Sequence, residues 1–339
     1  MAPLASDNPM ISKTLTQDLA GIPYVQNVHL AAIPIFDDPH FAPMSFNDFG
    51  EVVGSYDSTV FKWEGSRGVT FLTLPVDTFA NAAGFDVNDK GQVVITVSNP
   101  PPSLSKQAAI WDWYGHVTML RPLGIGFSCA ADAINNLGVV VGTCGNVHQD
   151  LLTVWTAYGN PDALYPSTGG PPLSEGLMFS ISDAGYITGA IEGKPFIFTP
   201  SKQVTILTTE SRFSQVPHDV NDSGWVAGTN NSPDGSFDAA LWTGGLTLHD
   251  IYPQGDGGMF GITDDGIAVG SVDELKTNVF VPVIWTSANG LERLPFLEPG
   301  YAGQVETGEA LYINTHHQIL GWVKLASGQQ RWVMWTLPF

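Results

Sequence analysis

Short apolar runs alternate with breaks of Asn, Asp and Gly along most of this chain, and one phrase recurs seven times: a β-branched or aromatic residue, a turn of the Asn-Asp-x-Gly kind, two or three apolar residues and usually a second Gly. It reads Phe46-Asn47-Asp48-Phe49-Gly50, Val87-Asn88-Asp89-Lys90-Gly91, Ile134-Asn135-Asn136-Leu137-Gly138, Ile181-Ser182-Asp183-Ala184-Gly185, Val220-Asn221-Asp222-Ser223-Gly224, Ile262-Thr263-Asp264-Asp265-Gly266 and, degenerate, Ile313-Asn314-Thr315-His316-His317. The apolar run before each turn predicts a first strand and the run after it a second. Asn and Asp supply side-chain turn bonds, while Gly accepts positive φ without a Cβ clash.

Successive turns are 41, 47, 47, 39, 42 and 51 residues apart, a period in the range of propeller blades. A loop of variable length leads to a third strand carrying Trp63, Trp111, Trp155, Phe198, Trp242, Trp285 or Trp335 at a common place. A fourth short strand closes each unit, as in Val117-Thr118-Met119-Leu120 and Leu246-Thr247-Leu248. The prediction is an all-β, seven-bladed β-propeller of four-stranded antiparallel blades, one domain spanning 1-339 with blades from about residue 41. The seventh unit stops after its third strand, and an orphan segment, Asn27 to Ile33, has the character of a fourth. The N-terminal segment 1-36 is therefore expected to supply the outermost strand of blade seven. A large aromatic at one place in every unit reads as packing between blades rather than as a ladder of ligand contacts.

Composition narrows the partners. Of 339 residues 43% are apolar and 14% charged, and 33 acidic against 13 basic residues give a net charge of −20. That balance argues against nucleic acid and anionic lipid partners. No apolar run is long enough for a membrane-spanning helix, and the N-terminus lacks a signal-peptide layout. Met1 to Ser6 reads as an initiator Met placed on a chain whose leader was removed. An acidic, Lys-poor, Gly- and Pro-rich chain suits a secreted protein.

Cysteine positions point the same way. A tight hairpin centred on Asn136-Leu137 pairs residues whose numbers sum to 273, which sets Cys129 opposite Cys144. The expectation is a disulfide, the alternative two small buried thiols. Two sequons, Asn221-Asp222-Ser223 and Asn230-Asn231-Ser232, also fit a secretory route.

The third residue before each turn should sit near the mouth of the central channel. In order these are Met44, Phe85, Asp132, Phe179, His218, Phe260 and Leu311, a largely apolar funnel with two groups able to move protons. Phe127, Phe213, Met178, Tyr301 and Tyr312 are further candidates to line it, with Lys194 and Arg212 as nearby cations. The alternative packs the aromatics between blades and bonds His218 to a loop carbonyl. The turn face reads as scaffold, and the opposite face, with its variable loops, as the functional side.

The phrase and the following Ala/Leu-Trp strand, as in Asp219-Val220-Asn221-Asp222-Ser223-Gly224 and Ala239-Ala240-Leu241-Trp242, resemble the HAF-type repeat family over roughly residues 44 to 336. Within it the chain is similar to fungal hetero-Diels–Alderases of tropolone–sesquiterpene pathways. That resemblance implies a pericyclase that needs no cofactor and takes small apolar or aromatic substrates. Phe85, Phe179, Phe213 and Phe260 would then stack the partners, and His218 or Asp132, with Lys194 or Arg212, would assist loss of water or bond a carbonyl.

Other chemistry finds less support. His148 and His316-His317 have no three-ligand metal spacing, no CxxC occurs, and Gly255 to Gly258 lacks the helix of a phosphate loop. The Asn-Asp turns lack the Glu of a calcium loop. Asp86, Asp132, Asp219, Glu175, Glu210 and Glu309 fall near one face and leave a lyase or glycosidase open. A non-catalytic, secreted glycan- or protein-binding propeller is the other alternative.

Overall fold

The structure, a computed structural model, describes residues 22–74, 81–99, 105–146, 148–167, 169, 171–207, 216–231, 235–244, 246–252, 255–273, 279–295, 305–325 and 327–338. Seven four-stranded antiparallel sheets form the ring. Blade one runs outward through strands Phe41–Phe46, Val52–Tyr56, Thr59–Glu64 and Gly68–Phe71. The inner strands of blades two to seven are Asn81–Val87, Ser128–Ile134, Gly176–Ile181, Val216–Val220, Asp256–Ile262 and Val305–Ile313. The described residues contain one short 3-10 turn, Pro34–Asp37, and otherwise strands and connections.

Blade seven is closed as expected. His29–Ala32 lies antiparallel on Gln330–Thr336, with His29 opposite Thr336 and Ala32 opposite Val333. The segment before it also grips blade six: the amide of Arg293 donates to Pro23 O at 2.8 Å and that of Val25 to Arg293 O at 3.0 Å. On the other side Arg331 forms a two-pronged ion pair with Asp37, at 3.2 and 3.0 Å.

Each large aromatic of the third strand pairs with a residue at the start of the second, the first in Val140 with Trp155 and Val226 with Trp242 and the second in Ile319 with Trp335. Trp155, Trp242 and Trp335 are fully buried, and Trp63 and Trp285 partly so. Their rings fill the space between neighbouring sheets, where a twisted blade leaves a wedge that smaller side chains would not occupy.

The turns do more than reverse the chain. Asn47 Oδ1 accepts from the amides of Phe49 and Glu51 at 3.1 and 3.0 Å, while its Nδ2 donates to Asn88 O of the next blade at 3.0 Å. Asn88, Asn135 and Asn221 reach forward likewise, and Asn314 closes the circle on Asn47 O. The second turn residue ties the ring again: Asp89 accepts the amide of Asp48, Asn136 that of Asp89, Asp183 that of Asn136 and Asp264 that of Asp222. Where the turn begins with Asn, its side chain thus stitches the blade to the next one, which accounts for the recurrence of Asn better than turn geometry alone.

Cys129 and Cys144 are opposed and joined, with Cα atoms 4.1 Å apart. The hairpin is a three-residue loop closed by Gly138, and a bulge at Asp132 brings the pairing back by one residue so that the two cysteines meet. Both sequon asparagines are buried, Asn221 at 3% and Asn230 at 0% exposure. Neither offers an amide to a glycosyl donor in the folded protein. Among the described residues no helix is long and apolar enough to cross a membrane.

Candidate functional site

All seven inner strands break register at one place, between Pro43 and Ser45, Gly84 and Asp86, Ala131 and Ala133, Met178 and Ser180, Pro217 and Asp219, Met259 and Gly261, and Ala310 and Tyr312. The residue left unpaired is the third before the turn. A bulge inserts one residue and re-aims its side chain, and in six of the seven blades it is aimed at the axis. Opposite most bulges sits the second Gly of the phrase. A Cβ on Gly142, for example, would lie 2.1 Å from Ala130 O, so only hydrogen fits where the bulged backbone approaches.

Six bulge residues, Met44, Phe85, Asp132, Phe179, His218 and Phe260, line an axial cavity of about 310 Å³. The seventh, Leu311, packs instead into the core shared with blade one. Tyr312, one residue on, takes its place on the cavity wall. The cavity runs from the bulge ring to the Asn-Asp turns, so the turn face, expected to be scaffold alone, forms its rim. That rim is acidic, with Asp48, Asp89, Asp183, Asp222 and Asp264 around it. Burial first, and neighbouring carboxylates after it, raise the pKa of Asp89 and Asp264.

Between ring and rim lies a layer with a structural task. Asp86 accepts from Ser45 Oγ at 2.6 Å and from the amides of Val87 and Ile134 at 2.8 and 3.0 Å. Asp219 repeats the pattern with Ser180 Oγ, Val220 and Ile262 at 2.6, 2.8 and 2.9 Å. Each carboxylate ties three consecutive blades. Desolvation raises both, Asp86 to about 6, against the hydrogen bonds that favour the charged form.

Asp132 differs. It has no hydrogen-bond partner among the described residues, and burial, opposed only by the charge of Lys106, lifts its pKa to about 7. It is therefore poised to gain or lose a proton near neutrality. His218 is pushed by burial to about 4 and stays a neutral imidazole at pH 7. Its Nε2 lies 3.3 Å from Thr229 Oγ1, and its ring meets Phe260 edge-on at 5.0 Å. Burial, with the charge of Asp86 second, keeps the Tyr312 phenol protonated well above the ordinary range. At the level of the bulge ring the cavity thus offers aromatic walls, the carboxyl group of Asp132 and two neutral polar rings.

Of the sequence-predicted residues, Asp132, His218, Phe85, Phe179, Phe260 and Tyr312 converge on this cavity. Met178 is buried in the core between blades three and four, and Phe127 packs against the core of blades two and three beside Leu123, so neither lines it. Lys194 begins the third strand of blade four and is exposed, away from the axis. Arg212, Phe213, Tyr301 and Glu210 lie outside the described residues. Among the other carboxylates, Glu175 is exposed and Glu309 accepts from Trp322 Nε1 at 3.2 Å. The Ser-Asp layer and the acidic rim were not foreseen, because the partners of Asp86 and Asp219 lie 39 to 48 residues away in the neighbouring blades.

No known family model matches the chain, and no curated protein matches it in sequence. Solved structures do resemble it. Virginiamycin B lyase from Staphylococcus aureus superposes with a TM-score of 0.55 at 10% identity, covering 91% of this chain and 99% of that one. Puromycin hydrolase gives 0.53 at 10% identity, over 87% of this chain and 54% of the hydrolase. YCF48 bound to D1 peptide gives 0.51 at 13% identity, over 94% and 98%. At such identity the likeness shows the propeller fold alone.

Proposed function

We propose that the protein is an enzyme of natural-product biosynthesis that performs a hetero-Diels–Alder cyclisation in the axial cavity, uniting the quinone methide of a tropolone with a humulene-type sesquiterpene. The observation that supports it is the row of bulges, which turns Phe85, Phe179, Phe260 and Met44 to the axis beside the buried carboxyl group of Asp132 and a neutral imidazole. Two apolar reactants confined among those rings give up their relative motion before reaction, an effect of up to about 7–11 kcal/mol. The lyase and the hydrolase that share the fold accord with an enzyme built on this ring.

The chemistry needs no external oxidant. A carbinol precursor loses water: its C–O bond breaks, the ring hydroxyl gives up a proton, and a conjugated C=C–C=O unit results. Asp132 gives a proton to the departing hydroxyl from one oxygen and receives that of the ring hydroxyl on the other, ending as it began. Tyr312 and His218 offer hydrogen bonds to the carbonyl. The four-atom unit then adds to the alkene, forming one C–C and one C–O bond. On this reading the disulfide accords with work in the secretory pathway or outside the cell.

The test incubates purified protein with a hydroxymethyl tropolone and humulene and follows adducts by chiral chromatography and mass spectrometry. Expected are a rate above the uncatalysed background and one dominant stereoisomer, with Asp132→Asn slower by about 10²-fold. A background rate with a racemic product overturns the proposal, and saturable ligand binding without turnover assigns a binding propeller instead.

A further inference from the structure

A second concavity, of about 640 Å³, lies on the turn face between blades one and two and shares only Asp89 with the axial cavity. Its walls are Phe49, the hairpin Glu64 to Arg67, the turn Asp89 to Gly91, and Trp113. Trp113 is 46% exposed, Phe49 75% and the adjoining Tyr114 80%. Such exposure of large aromatics on one rim is unusual for a side chain with nothing to bind. The place of Phe49 in the turn is taken in the other blades by Lys90, Leu137, Ala184, Ser223, Asp265 and His316, so the repeat itself does not demand an aromatic there.

Trp113 is fixed in place. Lys62 Nζ and Arg67 Cζ each lie 4.9 Å from its ring centroid, and Gly91 is so close that a Cβ there would stand 3.6 Å from the ring. The two cations are held in turn by Glu64, at 3.4 Å from Lys62 and 2.8 Å from Arg67, and Lys62 also faces Glu51 at 3.8 Å. A ring oriented in this way loses little freedom when a ligand arrives. The carboxylates Glu51, Glu64 and Asp89 on the wall are balanced by Arg67 and Lys90 beside them and by Lys62 buried behind, a neutral spot on a chain of net charge −20. Anions meet the acids and cations meet the bases, so both signs are disfavoured. Donors and acceptors in equal supply beside an exposed indole suit a ligand with many hydroxyls and an apolar C–H face.

We propose that this groove is a binding site for a neutral saccharide, independent of the chemistry in the axial cavity. A pyranose ring lies against the open surface of Trp113, and its hydroxyls accept from Arg67, Lys90 and Ser66 and donate to Glu64. The test is calorimetric titration of the full chain with neutral hexaoses of β-1,4-glucose, β-1,3-glucose, β-1,4-N-acetylglucosamine, β-1,4-mannose and β-1,4-xylose, with an oligogalacturonide as the anionic comparison. At least one neutral hexaose is expected to bind saturably, with little dependence on salt. Binding should weaken at least tenfold in Trp113→Ala and persist in Asp132→Asn, which separates this site from the cavity. As a measure that requires no folded variant, the indole N–H resonance of Trp113 should shift on titration. No binding by any neutral hexaose, a preference for the anionic one, or binding that leaves both the Trp113 signal and the Trp113→Ala affinity unchanged overturns the proposal.

Discussion

Asp86, in blade two, accepts the amide hydrogen of Ile134, in blade three, at 3.0 Å, and with its other oxygen takes the hydroxyl hydrogen of Ser45 in blade one. A buried carboxylate thereby acts as a three-blade clamp, and Asp219 repeats it across blades four to six. Replacing Asp86 by Ala strands two amides and a hydroxyl and should lower stability by about 2–4 kcal/mol in urea unfolding. Asp86→Asn, which keeps one acceptor, should lose less. Equal stability of wild type and Asp86→Ala would show that the clamp carries no load.

Acidity should shape stability in a predictable direction. Asp132, raised from 3.8 to about 7, and Asp86, raised to about 6, are protonated in the fold where the unfolded chain is ionised. Their contribution is complete below pH 3.8 and is lost as pH rises through those values. His218, lowered from 6.5 to about 4, has the opposite sign: its contribution is present above pH 6.5 and lost as pH falls through about 4. Asp132→Asn removes one ionisation, so its melting temperature relative to wild type should climb between pH 5 and pH 8. A constant difference across that range would contradict the burial that raises Asp132.

Deleting residues 24 to 35 strips the outer strand from blade seven together with the buried Val25, Leu30 and Ile33. Burial of those three side chains alone corresponds to about 5 kcal/mol. The truncated chain should melt markedly lower and aggregate through the bared edge of Gln330–Thr336, as light scattering would reveal.

The bond between Cys129 and Cys144 closes a 15-residue separation inside blade three. Replacing both cysteines by Ala should cost about 3 kcal/mol in denaturant. An unchanged midpoint would mean that strand pairing alone fixes this hairpin.

Much of this architecture is legible in one sequence because the blade repeats: the turn phrase, the aromatic of the third strand and the missing seventh outer strand give ring, register and closure. The bulge ring is legible by position, yet its cause is not. An alternating pattern of strand residues gives no sign that Asp132 or Phe85 is an unpaired extra residue; only the glycine opposite, as at Gly142, betrays it. The roles of Asp86 and Asp219 are hidden for a different reason, since their partners lie one blade away on either side and a clamp between distant backbones leaves no local trace. Met178 and Phe127 point to the limit of composition: an apolar residue near a channel satisfies core and ligand equally well, and the side of the strand decides.

The pairing of His29–Ala32 with Gln330–Thr336 sets a timetable for biosynthesis. The first of these strands leaves the ribosome about 300 residues before the second, so it has no partner edge until residues 330 to 336 have been made. Until residue 336 is made blade seven lacks its outermost strand, although its share of the cavity wall, Tyr312 to Thr315, has already been synthesised.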